Sequence, residues 1–391
     1  MGERAKVRSR KMVSEKIINS IIISSHGKIW DQLKNISFSN RIGNAYLFSG
    51  PPGCGKEFIS IRFAQLLNCE QSQIEICGIC ASCIRFSNLQ HENLNLIFPL
   101  PVVKGKLENG KNEIDKINLD LVNHAIKKKS KDPFFKIAIP KANRILIQSI
   151  RRLRKILYLK SHTSGRKMLL VFDSHLLNKG QGEAANAFLK ILEEPPANTT
   201  IILVTDYAKL LQPTILSRCQ KIDFSKLNNQ FMEQWCKEKL VKDSHKSLLV
   251  GLSRGNIHRA NALIEEPLED LMQSISKLIQ TTINNNPDHW RIFVNTYSQI
   301  SKRNESKFFF HFYILKIWFQ SANRLNKKIA HILHSTLFID EMKRFNQTYP
   351  KTDFSSIIYE IEKLTSAISK NYFMPLVLLN FLLEVQRHIK K

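Results

Sequence analysis

The stretch AYLFSGPPGCGKEFISIRFAQLL, residues 45–67, sets the architecture of the first part of this chain. Residues 45–49 form an apolar run that ends at a glycine, as a buried strand does, and residues 57–67 repeat apolar side chains at helical spacing. Between them, GPPGCGK has the G-x4-G-K pattern of a phosphate-binding loop, whose backbone N–H groups cradle phosphates at the start of a helix. The stretch therefore predicts a nucleotide-binding α/β sheet.

The residue that follows the phosphate-binding loop in the sequence is unusual. The residues predicted to bind nucleotide are Gly50, Pro51, Pro52, Gly53, Cys54, Gly55 and Lys56, and Lys56 would contact the terminal phosphates. The next position normally holds Ser or Thr, whose hydroxyl binds Mg²⁺. Here it is Glu57, which adds negative charge beside the phosphates, although its carboxylate could also reach a metal ion.

A second acidic motif is altered in a similar way. The apolar run at residues 168–172 ends in Asp173, like strands whose final aspartate holds Mg²⁺. In ATPases of this type the following residue is Glu, which orients the attacking water, but here it is Ser174. Two positions needed for hydrolysis are thus changed. We expect no efficient hydrolysis, whereas binding of ATP and Mg²⁺ at this loop stays an open question.

Four of the seven cysteines lie close together in the sequence. They are Cys69, Cys77, Cys80 and Cys83, with the spacing C-x7-C-x2-C-x2-C. A C-x2-C step brings two thiolates to one turn, and four thiolates complete a tetrahedral shell, so the pattern predicts structural zinc. A redox C-x2-C pair is the alternative. A disulfide framework is disfavoured, because nothing in the sequence marks a secreted protein.

Composition narrows the class of protein. The chain has 391 residues, enough for two or three domains, and 43% of them are hydrophobic, as in globular proteins. The net charge of +26 suggests a polyanionic partner such as nucleic acid, but a general compositional bias towards lysine explains it equally well. The apolar run at residues 17–23 is too short and interrupted for a signal peptide, and no stretch resembles a membrane span. We therefore expect a soluble, cytoplasmic protein without membrane contact.

A series of segments in a fixed order resembles a known family. The segments are RIGNAYLFSGPPGCGK (41–56), the four-cysteine module, IQSIRRLRKIL (147–157), KMLLVFDSHLLNKGQGEAANAFLKILEEPP (167–196) and TIILVTDYAKLLQPTILSRCQKIDF (200–224). Together they resemble the AAA+ subunits of the bacterial DNA polymerase III clamp loader, namely delta-prime and the related tau/gamma subunits. Each piece alone could arise by chance, but the ordered series is highly specific.

This resemblance implies a three-domain architecture. Residues 1–224 would form a RecA-like α/β AAA+ domain with a four-cysteine zinc-binding insertion at about 69–83. Independently of the resemblance, the prolines, the glycines and the run Lys127-Lys128-Lys129-Ser130-Lys131 predict a second, largely exposed insertion at about 98–141. Its lysine run is predicted to be a solvated loop, with DNA contact as the alternative. Residues 225–268 would form a small helical lid, and residues 269–391 an all-α collar that oligomerises. The aromatic-rich helical pattern at residues 305–328 fits both a packed core and collar assembly.

The resemblance also assigns roles to individual residues. Arg218, in Ser-Arg-Cys, matches the arginine finger that acts in trans on the ATP of a neighbouring subunit. Thr205, at the end of an apolar run, lies near the sensor-1 position. The sensor-2 position falls at His258 or Arg259, and the sequence does not choose between them.

The departures at Glu57 and Ser174 favour a delta-prime-like subunit over tau/gamma. Such a subunit would help load the sliding clamp onto primed DNA, in a hetero-oligomer with tau/gamma and delta subunits. It would not be catalytic alone but would belong to the DNA polymerase III holoenzyme. Two alternatives stay open. One is an active, tau/gamma-like ATPase, and the other is a zinc-containing module that binds DNA independently.

Overall fold

The computed structural model describes residues 22–101, 119–159, 163–265, 268–329, 336–368 and 372–390. Residues 1–21, which include most of the short N-terminal apolar run, and residues 102–118 of the second insertion lie outside these ranges. The chain divides into two compact units. The N-terminal unit runs to Trp235 and includes Gly255–His258, and the C-terminal unit contains Cys236–Arg254 and the residues from Arg259 onward.

A parallel sheet forms the centre of the N-terminal unit. The strands of this unit are β1 Ala45–Ser49, β2 Leu94–Ile97, β3 Leu100–Pro101, β4 Ala142–Arg144, β5 Lys167–Val171, β6 Thr199–Thr205 and β7 Gln220–Asp223. The five-stranded sheet has the order β2-β5-β6-β1-β7, and β3 pairs with β4 in a separate antiparallel ribbon. Every residue of β1 and β6 is buried, because both faces of a parallel sheet are covered by its crossover helices.

Helices follow most of these strands. In the N-terminal unit they are α1 Gly27–Phe38, α2 Lys56–Leu66, α3 Ala81–Ser87, α4 Leu119–Lys131, α5 Ile147–Tyr158, α6 Glu183–Glu193 and α7 Pro213–Leu216, with short 3₁₀ turns at Ser174–Asn178 and Ala208–Leu210. The predicted strand–loop–helix at residues 45–67 is confirmed as β1 and α2, although the helix begins one residue earlier, at Lys56.

The register of the sheet determines where the loops meet. Ser49 at the end of β1 pairs with Thr205 at the end of β6, and Val171 at the end of β5 pairs with Leu203. The carboxyl ends of three adjacent strands therefore lie at one edge of the sheet. This edge is where open α/β sheets bind ligands.

The second insertion is not an exposed loop throughout. Its part at Leu119–Lys131 is the helix α4, and Lys129, within the predicted solvated lysine run, is only 1% exposed. Ala125 and Lys129 stand four residues apart, so both lie on the buried face of α4. Phe134 and Ile137, just beyond the helix, are buried as well. The prediction of a largely exposed segment is therefore wrong here, because these side chains pack against the body of the unit.

The C-terminal unit is helical. Two helices, α8 Asn229–Glu238 and α10 Ile257–Glu265, contain residues of both units. The other helices of the C-terminal unit are α9 Asp243–Ser253, α11 Leu268–Ile283, α12 Pro287–Arg303, α13 Glu305–Asn326, α14 Thr336–Thr348, α15 Phe354–Ala367 and α16 Met374–His388. The aromatic residues Phe308, Phe312, Trp318 and Phe319 of α13 are fully buried within this unit. Core packing thus accounts for these four rings, and the boundaries at residues 225 and 269 stay a prediction.

No helix within the described ranges reaches the length and apolar character that a membrane crossing demands.

The apolar face of α6 provides a test of the core. Phe188 is 0% exposed in the cluster between α6 and the sheet, so Phe188→Ala should lower the free energy of unfolding by about 3–5 kcal/mol through lost packing and a cavity. Lys190→Ala, on the exposed side of the same helix, should change it by less than about 0.5 kcal/mol. Urea denaturation of both variants measures the difference, and similar losses would contradict this placement of α6.

Candidate nucleotide pocket and four-cysteine cluster

The loop after β1 and the ends of β5 and β6 converge on one pocket, as the register requires. Of the residues predicted to bind nucleotide, Gly53, Cys54, Gly55, Lys56, Asp173 and Thr205 line it. The other three, Gly50, Pro51 and Pro52, are not among its lining residues. The remaining walls come from Glu57, Phe58, Lys129, Pro133, Phe134, Lys136, Val204, Asp206, Ile257 and His258.

Position 53 of the loop favours glycine because the side chain of Asn256 lies very close to it. The φ of Gly53 is +68°, and a Cβ there would lie 1.9 Å from Oδ1 of Asn256. The N–H of Ile257 also donates to the Gly53 carbonyl, at 3.0 Å. Only glycine fits this position, because any side chain would collide with Asn256 and strain the backbone.

Lys56, the lysine of the phosphate-loop motif, is held by the protein itself. Its ammonium donates to the carbonyl oxygens of Gly50 and Pro51, at 2.9 and 2.7 Å, and to Oδ1 of Asp206, at 2.7 Å. A lysine has three N–H donors, and these three acceptors match them. The side chain is 4% exposed. Lys56 therefore has no proton left for a phosphate in this arrangement.

The acidic residues of the pocket also have partners. Asp173, in the left-handed region with φ 49° and ψ 42°, accepts a hydrogen bond from Nζ of Lys136 at 2.8 Å. The same ammonium lies 3.8 Å from the second oxygen of Asp206. Burial alone would lower the pKa of Lys136, but the carboxylates of Asp173 and Asp206 outweigh it and raise that pKa above its usual value. Lys136 therefore stays charged beside Asp173, the residue that the sequence predicts to hold Mg²⁺.

Glu57 is paired with Lys129 of α4. Burial would raise the pKa of the Glu57 carboxyl, but the neighbouring Lys129 and Lys136 outweigh this effect and lower it. The carboxylate is ionised and bonded to a lysine, so its charge is compensated within the protein.

Thr205 and Ser174, which the resemblance places near the sensor-1 position and at the water-orienting position, are hydrogen-bonded within the protein. Oγ1 of Thr205 accepts the Tyr207 N–H at 3.0 Å and lies 3.1 Å from Nδ1 of His175. Ser174 is fully buried, and its hydroxyl donates to the Val204 carbonyl at 3.2 Å. A buried hydroxyl bonded to the backbone cannot replace the missing glutamate as a base.

The two sensor-2 candidates have different surroundings. His258 lines the pocket, and burial lowers its pKa to about 4, so it is neutral near pH 7. Arg259 belongs to the C-terminal unit, where its guanidinium lies 3.6 Å from the centre of the Tyr313 ring. Of the two candidates, only His258 lines the pocket. The sensor-2 assignment stays a prediction.

Sequence reasoning missed Lys129, Lys136 and Asp206. Asp206 directly follows the buried strand that ends at Thr205, so its position at the sheet edge could have been inferred. Lys129 and Lys136 carried no such signal, because a lysine-rich insertion usually predicts a solvated face. Only the folding of the insertion against α2 brings these two lysines to the pocket.

Arg218 lies on the surface between α7 and β7. Its side chain is 37% exposed and forms an ion pair with Glu193 at 2.8 Å. It also donates to the carbonyl of Thr214, at 2.9 Å. The guanidinium is thus oriented by two contacts but accessible from outside the chain.

The four predicted cysteine ligands come together. The sulfur atoms of Cys69, Cys77, Cys80 and Cys83 all lie within 4.8 Å of one another, so the cluster could hold a metal ion. The N–H of Cys80 donates to the Cys77 sulfur at 3.4 Å, and that of Cys83 to the Cys80 sulfur at 3.3 Å. Burial would raise the pKa of Cys69, but backbone hydrogen bonds outweigh it and lower the pKa to about 7. These bonds favour the thiolate of Cys69, whereas burial raises the pKa of the Cys83 thiol.

The contact between Lys56 and Asp206 can be tested by stability. The pair is largely buried, with side-chain exposures of 4% and 13%. Asp206→Asn leaves the Lys56 ammonium without its carboxylate, so the free energy of unfolding should fall by about 3 kcal/mol. Asp31→Asn, which breaks the exposed pair with Lys34, is the control and should cost less than about 1 kcal/mol. Equal losses in urea denaturation would show that Asp206 does not hold the loop.

Comparison with known proteins identifies the family. Residues 25–228, more than half of the chain, match the family described as "DNA polymerase III, delta subunit". The chain is 31% identical to DNA polymerase III subunit tau of Bacillus subtilis (strain 168) over 199 residues, which are 51% of this chain and 27% of tau. It is 26% identical to subunit delta-prime of the same organism over 255 residues, which are 65% of this chain and 63% of delta-prime.

These matches thus span less than two thirds of either relative. A solved structure, that of a gamma subunit-related protein of DNA polymerase III from Thermotoga maritima MSB8, aligns over 92% of this chain and all of its own. Its identity is 18% and its TM-score 0.41, too low to bear on the fold. The family match, together with the delta-prime and tau relatives, supports one conclusion: the chain belongs to the DNA polymerase III delta-subunit family and resembles the delta-prime and tau/gamma subunits of the clamp loader.

Proposed function

We propose that this chain is a delta-prime-like subunit of the DNA polymerase III clamp loader, which helps to load the sliding clamp onto primed DNA. The observation that carries the choice of delta-prime is the internal pairing of the pocket. Lys56 and Asp173, which an active site would direct at phosphate and magnesium, are bonded to Asp206 and Lys136. Glu57 and Ser174 stand where hydrolysis needs a hydroxyl and a carboxylate. The chain therefore contributes to ATP turnover from outside its own pocket.

The contribution that we propose is Arg218, acting on ATP bound to a neighbouring tau/gamma subunit. A guanidinium in trans stabilises the charge that develops on the transferred phosphate. The exposure of Arg218 and its two orienting contacts support this role. The partners would be tau/gamma and delta subunits in a hetero-oligomer.

Arg218→Ala provides the direct test in a reconstituted complex with tau/gamma and delta subunits. An arginine finger contributes roughly 10³–10⁵ in kcat at the site that it serves, so turnover at that interface should fall below detection. Assembly, measured by gel filtration, should be unchanged. Arg151→Ala is the matched control, because it removes an exposed arginine of α5 that has no part in the proposed finger, and it should retain turnover. Unchanged turnover in Arg218→Ala would contradict the assignment.

We also propose that the four-cysteine cluster holds structural zinc. Tetrahedral zinc with Zn–S bonds of about 2.3 Å places its sulfurs about 3.8 Å apart. The separation of the Cys77 and Cys83 sulfurs is 3.8 Å. Four thiolates leave no position for a reacting water, so the ion would stabilise the local fold around α3.

Metal analysis of the gel-filtered full chain tests the zinc site. We expect one zinc per chain, and loss of that zinc together with a lower melting temperature in Cys77→Ser. Cys219→Ser, which alters a half-buried cysteine outside the cluster, should keep the metal. A metal-free protein, purified without chelators, would contradict the proposal.

The second candidate is an active ATPase of the tau/gamma type, favoured by the intact GPPGCGK motif and the tau relative. DNA-stimulated ATP turnover by the isolated chain would favour this candidate over the delta-prime role.

A third candidate is a module that binds DNA independently and uses the net charge of +26. Tight DNA binding by the isolated chain, weakening steeply with salt, would favour it.

A further inference from the structure

We propose that residues 119–136 occupy this chain's own phosphate pocket and thereby exclude nucleotide from it. This proposal rests on the proposed function, in which this subunit does not hydrolyse ATP. It names the segment of the chain that keeps nucleotide out of the pocket. The segment comprises α4 and the turn that follows it. Lys129, Pro133, Phe134 and Lys136 from this segment form part of the pocket wall, opposite the loop glycines and Lys56.

The space that remains is too small for nucleotide. The free volume of the pocket is about 20 Å³. A single water needs roughly 10–15 Å³ by the same measure, so the pocket has room for one or two waters. A triphosphate can enter only if the segment moves.

The charges of the pocket are already balanced. Three lysines, Lys56, Lys129 and Lys136, face three carboxylates, those of Asp206, Glu57 and Asp173. Binding of magnesium nucleotide needs a free lysine for the phosphates and a free aspartate for the metal. Lys56 would first have to give up Asp206, and Asp173 would first have to give up Lys136. The nucleotide must therefore overcome these ion pairs as well as displace the segment.

Apolar contacts hold the segment in place alongside the ion pairs. Phe134 is 6% exposed, and its ring lies 5.6 Å from that of Phe58 on α2. Its N–H donates to Oδ1 of Asp132 at 3.0 Å, which fixes the turn. The Lys129 ammonium lies 5.6 Å from the centre of the Phe172 ring, at the end of β5. The segment is thus fixed to two elements of the nucleotide fold.

The experiment measures binding of a fluorescent ATP analogue with Mg²⁺ to the full chain, together with hydrogen exchange of residues 119–136. The main variant is Glu57→Gln/Lys129→Met/Lys136→Ala, which removes both charges of the buried pair together without supplying the motif hydroxyl, so that a gain in binding reports on the segment alone. Removing both partners of a buried pair avoids leaving an uncompensated charge. The control is Lys127→Ala, which removes an exposed charge from the same helix.

We expect wild type and Lys127→Ala to show no saturable binding and slow exchange of the segment. The triple variant should bind saturably, at least about tenfold more tightly than the weakest affinity that the assay detects, a difference of about 1.4 kcal/mol, and its segment should exchange faster. Equal affinity in wild type and the triple variant would overturn the proposal. A folded triple variant that still binds no nucleotide would also overturn it, because the segment would then not be what excludes the ligand.

Lys136→Ala alone covers the case in which the triple variant does not fold, because this side chain is 37% exposed and its removal leaves the buried pair intact. It should raise nucleotide affinity and speed exchange of the segment, and no change in either would contradict the proposal. This binding experiment is independent of the test of Arg218, because the Arg218 test measures ATP turnover in the assembled complex. Loss of turnover in Arg218→Ala with equal nucleotide binding in all variants would reject the internal occupant alone.

Discussion

The set of ion pairs at the carboxyl edge of the sheet is the constraint on which the rest of the N-terminal unit depends. Lys56, Asp206, Lys136 and Asp173 form a connected chain of opposite charges across the ends of β1, β5 and β6. Charges as far removed from water as those of Lys56 and Asp206, which are 4% and 13% exposed, are costly unless each has a partner. The loop, both strand ends and the inserted segment therefore have to meet here together, and each fixes the position of the others.

In our proposal, the nucleotide is bound by one subunit and the arginine that acts on it belongs to another. The groups that would bind nucleotide in this chain are bonded to one another, whereas Arg218, the group proposed to act on another subunit's nucleotide, is exposed. Membership of the DNA polymerase III delta-subunit family is consistent with such a division, because in our proposal this chain works only within an assembly.

Local sequence patterns predicted much of this molecule because they depend on near neighbours. The strand, loop and helix at residues 45–67 follow from apolar spacing and glycine chemistry, and the cysteine spacing placed four sulfurs in one cluster. The prediction failed at the second insertion. A lysine-rich helix can face water or bury one lysine against a distant carboxylate, and the two cases have the same local pattern. The buried contact of Lys129 with Glu57 joins residues far apart in the chain.

By itself the sequence determined the family, the parallel α/β sheet with its phosphate-loop motif, and the cysteine cluster, and it shows Glu57 and Ser174 at the two altered motif positions. These follow from which side chains are present and how they are spaced. The tertiary structure alone decided what the phosphate loop contacts. The partners of Lys56 and Asp173 come from β6 and from the inserted segment, and only the folded register of the sheet brings them within hydrogen-bonding distance. A motif specifies the groups of a site, but long-range packing determines whether those groups are free to bind a ligand.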